Sequence, residues 1–177
     1  ENESAAVWPG TNHDPGNDNR VAEPSSRLDV LHVACGFGDL KVVREFILEA
    51  QRNGRLRSEL KRGDSQFGGT PLHWACLNGH VEVVNELISA GATVDRRDEH
   101  RATPLHLACD SGHVGVVQTL LRAGAELNVR DAEGHTPVHL IAMNGNSDVA
   151  GVMFPLSLDL HARDNEGKTA LQLAYES

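Results

Sequence analysis

Residues 70–98 read TPLHWACLNGHVEVVNELISAGATVDRRD, and this stretch decides the fold. Slightly altered copies begin at Thr103 and Thr136, and a partial copy begins at Thr169, so each start follows the previous one by 33 residues. A fixed period of that length marks an array of structural repeats, in which each unit packs against its neighbours. The period therefore predicts a solenoid.

Each copy carries the signals of two short helices. Thr70 suits a helix N-cap, and Pro71 suits the first helical position, where its missing N–H donor costs nothing. An Asn-Gly pair interrupts this helix, and apolar residues at offsets of three and four predict a second one. Gly91 follows the second helix, where a left-handed cap is expected. The unit is thus predicted to be a helix, a turn, a helix and a turn-rich connection.

The period and the T-P-L-H-x-A opening resemble those of the ankyrin repeat. The resemblance runs from about residue 29 to residue 177, and it implies an all-α solenoid of helix-turn-helix units with projecting β-hairpin loops. It divides the chain into a domain of about four repeats and a partial fifth, residues 28–177, preceded by a tail, residues 1–27. The tail lacks hydrophobic periodicity and has the polar composition of a flexible chain. Trp8 is either an anchor for a linear motif or an incidental aromatic residue.

Composition limits the function. The chain has no apolar run long enough to cross a membrane, and its net charge of −9 argues against non-specific nucleic-acid binding while leaving a basic protein partner open. Cys35, Cys76 and Cys109 occupy one repeat position, so they are predicted to be buried free thiols rather than a disulfide framework. This favours a reducing compartment, the cytoplasm or the nucleus.

The first repeat is eight residues longer than the others, and the extra length lies within residues 51–64. This basic insert is interpreted either as part of a binding face or as a solvated extension of the outer helix. In the loop after repeat two, Arg101 replaces the expected Gly, which requires either strain or another turn form. Together the two segments form a possible basic patch for an acidic or phosphorylated ligand, with solvated charge as the alternative: Arg52, Arg55, Arg57, Lys61, Arg62, Arg96, Arg97 and Arg101.

Motifs that suggest chemistry fit the repeat instead. His32, His73, His106 and His139 recur at one position, and stacked helices would hold them roughly 10 Å apart, too far to share a metal ion. The resemblance implies that they brace helix and hairpin by hydrogen bonds. Gly167-Lys168-Thr169 looks like the end of a phosphate-binding loop, but it falls at the hairpin-to-helix junction. No catalytic set, cofactor site or metal site is therefore predicted, and Pro155 is expected to end the outer helix of repeat four near Phe154.

The resemblance implies that a partner meets the concave face, which the hairpin tips and the exposed ends of the inner helices form. The apolar members of this set are either interface anchors or residues shielded by neighbouring segments. The predicted partner-binding residues are Phe37, Gln66, Phe67, Leu77, Asn78, Glu99, His100, Ala102, Asp110, Ser111, Ala132, Glu133, His135, Met143 and Asn144.

The main hypothesis is a non-catalytic module that binds a protein or peptide. Two alternatives stay open: the recruiting region of a larger multidomain enzyme, and an acidic chaperone for a basic client protein. Asn128, in LLRAGAELNV, also resembles the sites that an asparaginyl hydroxylase modifies in ankyrin domains, although such residues also serve as plain hairpin formers. The oligomeric state is not predicted.

Overall fold

The computed structural model describes residues 29–176, which form ten α-helices and no strand, apart from an isolated bridge between Arg163 and Thr169. In chain order the helices are α1 (Asp29–Phe37), α2 (Leu40–Arg52), α3 (Leu56–Lys61), α4 (Pro71–Leu77), α5 (Val81–Ser89), α6 (Pro104–Asp110), α7 (Val114–Arg122), α8 (Pro137–Met143), α9 (Ser147–Met153) and α10 (Ala170–Glu176). The predicted tail, with Trp8, lies outside the described residues.

The helices form two layers. Each inner helix contacts the next in the order α1, α4, α6, α8 and α10, and each outer helix contacts the next in the order α2, α5, α7 and α9. Within a unit the inner helix packs on the outer helix of the same unit, and α3 packs on α2 and α4. The predicted solenoid of helix pairs is confirmed.

The core is a thin aliphatic layer between the two rows of helices. Leu72 and Leu105 of the inner row and Leu87 and Leu120 of the outer row are at most 1% exposed, and each pair is 33 residues apart. Burial of one such side chain stabilises the fold by about 1.5–3 kcal/mol relative to leaving it exposed. Residues at equivalent repeat positions therefore stabilise successive units in the same way.

In α4 and α6, a histidine at the third helical position ties the inner helix to the next loop, as the resemblance implied. The Thr70 N–H donates to His73 Nδ1 (3.1 Å), so the ring proton lies on Nε2, which donates to the carbonyl of Ala102 (3.2 Å). Thr103 and His106 repeat this box, and His106 Nε2 lies 3.1 and 3.2 Å from the carbonyls of Val129 and His135. Each box therefore fixes a helix start and the following turn together.

The last box is incomplete. His139 is 1% exposed and its Nδ1 accepts from the Thr136 N–H, but its Nε2 has no hydrogen-bond partner among residues 29–176. Burial lowers the pKa of His139, and the nearby carbonyls of Lys168 and Ala162 offset only part of this effect. A buried donor left in this way costs about 1–3 kcal/mol, so this junction is held less firmly than those before it.

Backbone hydrogen bonds join successive loops. The N–H groups of Glu99, Ala132 and Asn165 donate to a carbonyl of the preceding loop, at 2.8 to 3.0 Å. The predicted hairpin loops are therefore closed turns stacked by such bonds, and no strand is assigned within residues 29–176. In repeat four, α9 ends at Met153 with Phe154 as its C-cap, which confirms the predicted effect of Pro155.

Candidate functional site

The candidate site is the face formed by the loop turns and the C-terminal ends of the inner helices. An aspartate fixes each turn, because one oxygen accepts the N–H of the residue four positions later: Asp98 from Ala102 (2.9 Å) and Asp131 from His135 (2.7 Å). Asp164 does the same for Lys168 (2.8 Å). The second oxygen of each carboxylate is left for other contacts.

The structure places most of the predicted partner-binding residues at the surface of this face. The exposed ones are Phe37, Gln66, Asn78, Glu99, Ala132, Glu133, Met143 and Asn144. The half-buried ones are Phe67, His100, Asp110, Ser111 and His135. Their role in binding a partner stays a prediction.

Exposure was wrongly expected for two residues. Leu77 is 5% exposed and Ala102 is 7% exposed, because both pack with Leu107 of the next inner helix in a small cluster that Phe67 partly covers. Leu77 is therefore shielded by the neighbouring repeat and belongs to the packing between units. Phe67 also lies against the ring of His100, with 6.3 Å between the ring centroids.

Phe37 and Met143 are large apolar side chains exposed at the C-terminal ends of the first and the fourth inner helix. Phe37 is 65% exposed at the end of α1, and Met143 is 39% exposed at the end of α8. Apolar contacts are therefore available at two well-separated points of the face.

Ionisable side chains meet between the turn of repeat three and the turn that follows it. His135 lies between two carboxylates, with Nδ1 3.7 Å from Asp131 Oδ2 and Nε2 3.6 Å from Asp164 Oδ2. Contact with Asp131 raises the pKa of His135. Burial alone would raise the pKa of Asp131, but the hydrogen bonds from the side chain and backbone of His135 outweigh it and lower that pKa.

The pKa of Asp98 shifts in the opposite direction to that of Asp131. Its Oδ2 is buried without a hydrogen-bond partner in the described part of the chain, and burial raises the pKa of its carboxyl to about 6. The sequence analysis did not identify these loop aspartates as candidate site residues. Their regular recurrence, with His135 four residues after Asp131, is the signal that points to them.

The basic insert extends the outer helix, as one interpretation held, and it adds a second helix that neither interpretation anticipated. The outer helix α2 has 13 residues against nine in α5, so the insert does lengthen it, but a separate helix, α3, follows and buries Leu60. Between α2 and α3 lies a cavity of about 340 Å³, where Arg55 and Arg62 stand beside Glu49 and Glu59. Part of the insert's positive charge is therefore offset locally.

The predicted basic residues are all exposed, and the loop residue Arg101 keeps a positive φ of 60°. The structure also shows a column that sequence reasoning missed: Arg97, Arg130 and Arg163 each precede a loop aspartate, at the repeat spacing. Arg130 Nη2 donates to the carbonyl of Arg163, whose own Nη1 donates to the carbonyl of Gly167 (2.6 Å). Two of these arginines therefore brace the loops.

Asn128 is exposed, but both ends of its side-chain amide are engaged. Its Nδ2 donates to the carbonyl of Ser157 (3.2 Å), and its Oδ1 accepts the N–H of Asp159 (2.9 Å). These bonds support the role of a hairpin former that ties two loops. Hydroxylation of Asn128 stays a prediction, which the intact mass of the protein isolated from cells checks.

Cys35, Cys76 and Cys109 are buried and free, as predicted, and burial raises the pKa of each thiol. They are therefore poor nucleophiles. Within residues 29–176, no helix combines the length and apolar character that a bilayer crossing needs.

Comparison with known proteins agrees with this architecture. A family model for ankyrin repeats, in three copies, matches residues 12–98, 31–131 and 116–177. Palmitoyltransferase AKR1 of Saccharomyces cerevisiae is 38% identical over 96 residues, which is 52% of this chain and 12% of that protein. Inversin of Gallus gallus is 40% identical over 77 residues, 44% of this chain and 6% of that protein.

Oxysterol-binding protein-related protein 1 of Rattus norvegicus is 39% identical over 61 residues, 33% of this chain and 6% of that protein. The chain thus spans 12% or less of the length of each of these relatives.

Proposed function

This chain belongs to the ankyrin-repeat family, and we propose that it is a non-catalytic interaction module that binds a protein or peptide along the loop turns and inner-helix ends. One observation carries the proposal. The residues that the repeat fixes, such as Thr70 and His73, are consumed by internal hydrogen bonds, whereas the face carries exposed side chains that differ from unit to unit. Variation on a constant frame is how repeat proteins build extended binding surfaces.

Phe37 and Met143 are the proposed anchors, because large apolar side chains that a partner can desolvate dominate binding energy. Between them lie polar and charged groups, including Asn78, Ser111 and Glu133, which fit the polar part of an interface. A partner that reaches both anchors must run across several units, so an extended segment suits this face better than a compact one.

The test is selection of peptides from a displayed random library against the full chain, followed by affinity measurement with purified variants. We expect Phe37→Ala combined with Met143→Ala to weaken the selected peptides by about tenfold or more. The matched control combines Leu48→Ala with Phe154→Ala, which removes apolar groups of similar exposure from the outer helices α2 and α9. Equal affinities for the two double variants would overturn the proposed face.

A second function has support from the relatives. The chain shares 38% identity with a segment of palmitoyltransferase AKR1 and spans 12% of it, which fits a recruiting region within a larger enzyme. Sequencing the complete transcript decides this: a catalytic domain in the same reading frame supports it, and a complete reading frame that encodes none rules it out. The interaction role of the repeats is the same in both cases.

We also propose a reducing compartment, the cytoplasm or the nucleus, for this domain. The support is that Cys35, Cys76 and Cys109 are free thiols in the core. Microscopy of the tagged full-length protein in its own cells tests this, and a secreted protein would contradict it.

A further inference from the structure

The turn of repeat three gathers three side chains of metal-ligand type. Asp131, Glu133 and His135 each contribute one ligand atom, and these atoms all lie within 4.8 Å of one another. His135 is not one of the repeated histidines, whose rings face the scaffold. The donor set is one imidazole nitrogen and two carboxylate oxygens, which is a set that zinc accepts.

Two of the three ligands are already held in place. Asp131 Oδ1 accepts the His135 N–H (2.7 Å), which leaves Oδ2 available at 3.7 Å from His135 Nδ1. The backbone of His135 is fixed further, because its carbonyl accepts from the Asp131 N–H (2.9 Å) and lies 3.2 Å from His106 Nε2. Two ligands of a tetrahedral zinc ion lie about 3.4 Å apart at bond lengths of about 2.1 Å, so little movement is needed.

A buried carboxylate stands behind the imidazole. Asp164 Oδ2 lies 3.6 Å from His135 Nε2, and the Asp164 side chain is only 2% exposed. Its other oxygen accepts the N–H groups of Glu166 and Lys168 (2.9 and 2.8 Å), so its orientation is fixed. Histidines that bind metals commonly direct their second nitrogen to such a carboxylate, which leaves the first nitrogen for the ion.

Repeat four offers an internal comparison. There Lys168 occupies the position of His135, and its Nζ lies 3.2 Å from a carboxylate oxygen of Glu166, which occupies the position of Glu133. In repeat four the turn geometry therefore places a positive charge, the ammonium group of Lys168, beside the carboxylate of Glu166. Repeat three has the carboxylates of Asp131 and Glu133 but no lysine at this position.

We propose that the turn of repeat three binds a divalent metal ion of zinc type, with Asp131, Glu133 and His135 as ligands. Asp164 is the positioning residue that orients the imidazole, and the remaining coordination positions face solvent on the exposed side of Glu133. The test does not depend on the proposed partner binding, because the ion alone is titrated.

The experiment titrates Zn²⁺ alone into the chelator-treated full chain, with calorimetry for affinity and nitrogen NMR of the histidine rings. We expect one site per chain. The NMR signal of His135 Nδ1 is expected to shift when this nitrogen binds the ion, while Nε2 keeps its proton. Glu133→Gln, an exposed position, is expected to weaken binding by about tenfold or more, and Asp164→Asn by about 10- to 100-fold. His135→Ala is expected to abolish the site.

His161→Ala is the matched control, because it removes an exposed histidine from the neighbouring loop and is expected to leave the affinity unchanged. Thermal unfolding of each variant without metal checks that it is folded. Equal Zn²⁺ affinity in Glu133→Gln and the parent, or binding that leaves the His135 ring signals unchanged, would overturn the proposal.

Discussion

The turns that follow repeats two and three share a backbone and differ in their side chains. In both, the aspartate N–H donates to the carbonyl four residues later, Asp98 to Ala102 (3.0 Å) and Asp131 to His135 (2.9 Å). Arg101 stands in the first turn where the second has Gly134, and both residues have positive φ, 60° and 83°. The repeat therefore dictates the turn even where the residue type opposes it.

The residue that precedes the capping-box threonine of the next repeat decides the direction in which the pKa of the turn aspartate shifts. The His135 side chain gives Asp131 a partner, whereas Ala102 has no polar side chain to offer Asp98, and the pKa values of the two carboxyls move in opposite directions. The comparison teaches that the frame of the repeat and the chemistry of its face are set by different positions. The predictions below alter one or the other.

Replacing His106 is expected to give the largest effect, because this ring joins the two turns. Its Nδ1 accepts from Thr103 at the end of the first turn, and its Nε2 faces the His135 carbonyl of the second. His106→Ala leaves these groups buried and unpaired, so we expect the free energy of unfolding to fall by about 3 kcal/mol or more. Urea denaturation measures this free energy. The control variant His161→Ala is expected to change it by no more than about 0.5 kcal/mol. A fall below about 1 kcal/mol in His106→Ala would contradict the bracing role.

Acid should loosen the first turn through His73, which holds the Ala102 carbonyl. Burial lowers the pKa of His73 to about 4, so the folded state prefers the neutral ring. Its stabilising contribution is complete above the unfolded pKa near 6.5 and is lost as the pH falls towards 4, by about 2 kcal/mol at pH 5. Urea denaturation at pH 7 and pH 5 measures the loss, and NMR follows the ring directly. A His73 titration midpoint above pH 6 would contradict the expectation.

Gly134→Arg makes the second turn resemble the first, and we expect it to lower the free energy of unfolding by about 2 kcal/mol. The positive φ opposes a side chain, and a Cβ would lie 2.6 Å from Asn165 Oδ1 and 2.9 Å from the Asn165 backbone nitrogen. The residue one repeat before Asn165 is Ala132, so Arg101 has a smaller neighbour at this position than Gly134 has. Asn165→Ala tested with Gly134→Arg isolates the side-chain clash: recovery of stability assigns the loss to the Asn165 side chain, and no recovery assigns it to the positive φ or to the Asn165 backbone nitrogen.

Neutralising the two aspartates should have effects of opposite sign. Burial raises the pKa of Asp98 to about 6, so its contribution to folding stability is present at low pH and is lost as the pH rises through 6. Asp98→Asn is therefore expected to raise stability at pH 7 by about 1 kcal/mol, and Asp131→Asn to lower it by a similar amount. Both Asn side chains keep the oxygen that accepts the turn N–H. A change of the same sign in both variants would show that the turns are electrostatically alike.

Arg101→Gly is expected to have the smallest effect, a gain in stability of about 0.5–1 kcal/mol. Gly relieves the left-handed strain, and its greater freedom in the unfolded chain offsets part of the gain. Thermal unfolding measures it, with Arg97→Gly as a control at a position of negative φ, where a loss is expected. A loss of stability in Arg101→Gly would mean that the arginine side chain makes a favourable contact in this turn.

Most of the frame could be predicted because its signals are local. Thr70 with Pro71 marks a helix start, and the recurring histidine completes the capping box within three residues of the threonine. The end of α9 before Pro155 followed from the same kind of rule. The hairpin loops were predicted from turn chemistry, which fixes a loop without requiring strands beside it.

The surface was harder to predict, because exposure depends on the neighbouring unit. Leu77 was expected at the surface, yet Leu107 of the next inner helix covers it, whereas Phe37 stays 65% exposed. The insert shows the same limit: a basic composition gave no sign that Leu60 would bury itself and anchor a separate helix.

The sequence by itself determined the repeat, the starts of the inner helices and the stop at Pro155, since these depend on backbone chemistry within a few residues. Only the tertiary structure decided which side chains meet across units. His135 and Asp164 are 29 residues apart and come within 3.6 Å because consecutive turns stack. The arrangement of charge on the face is therefore a property of the stacked solenoid, while the frame that carries it is a property of each 33-residue unit.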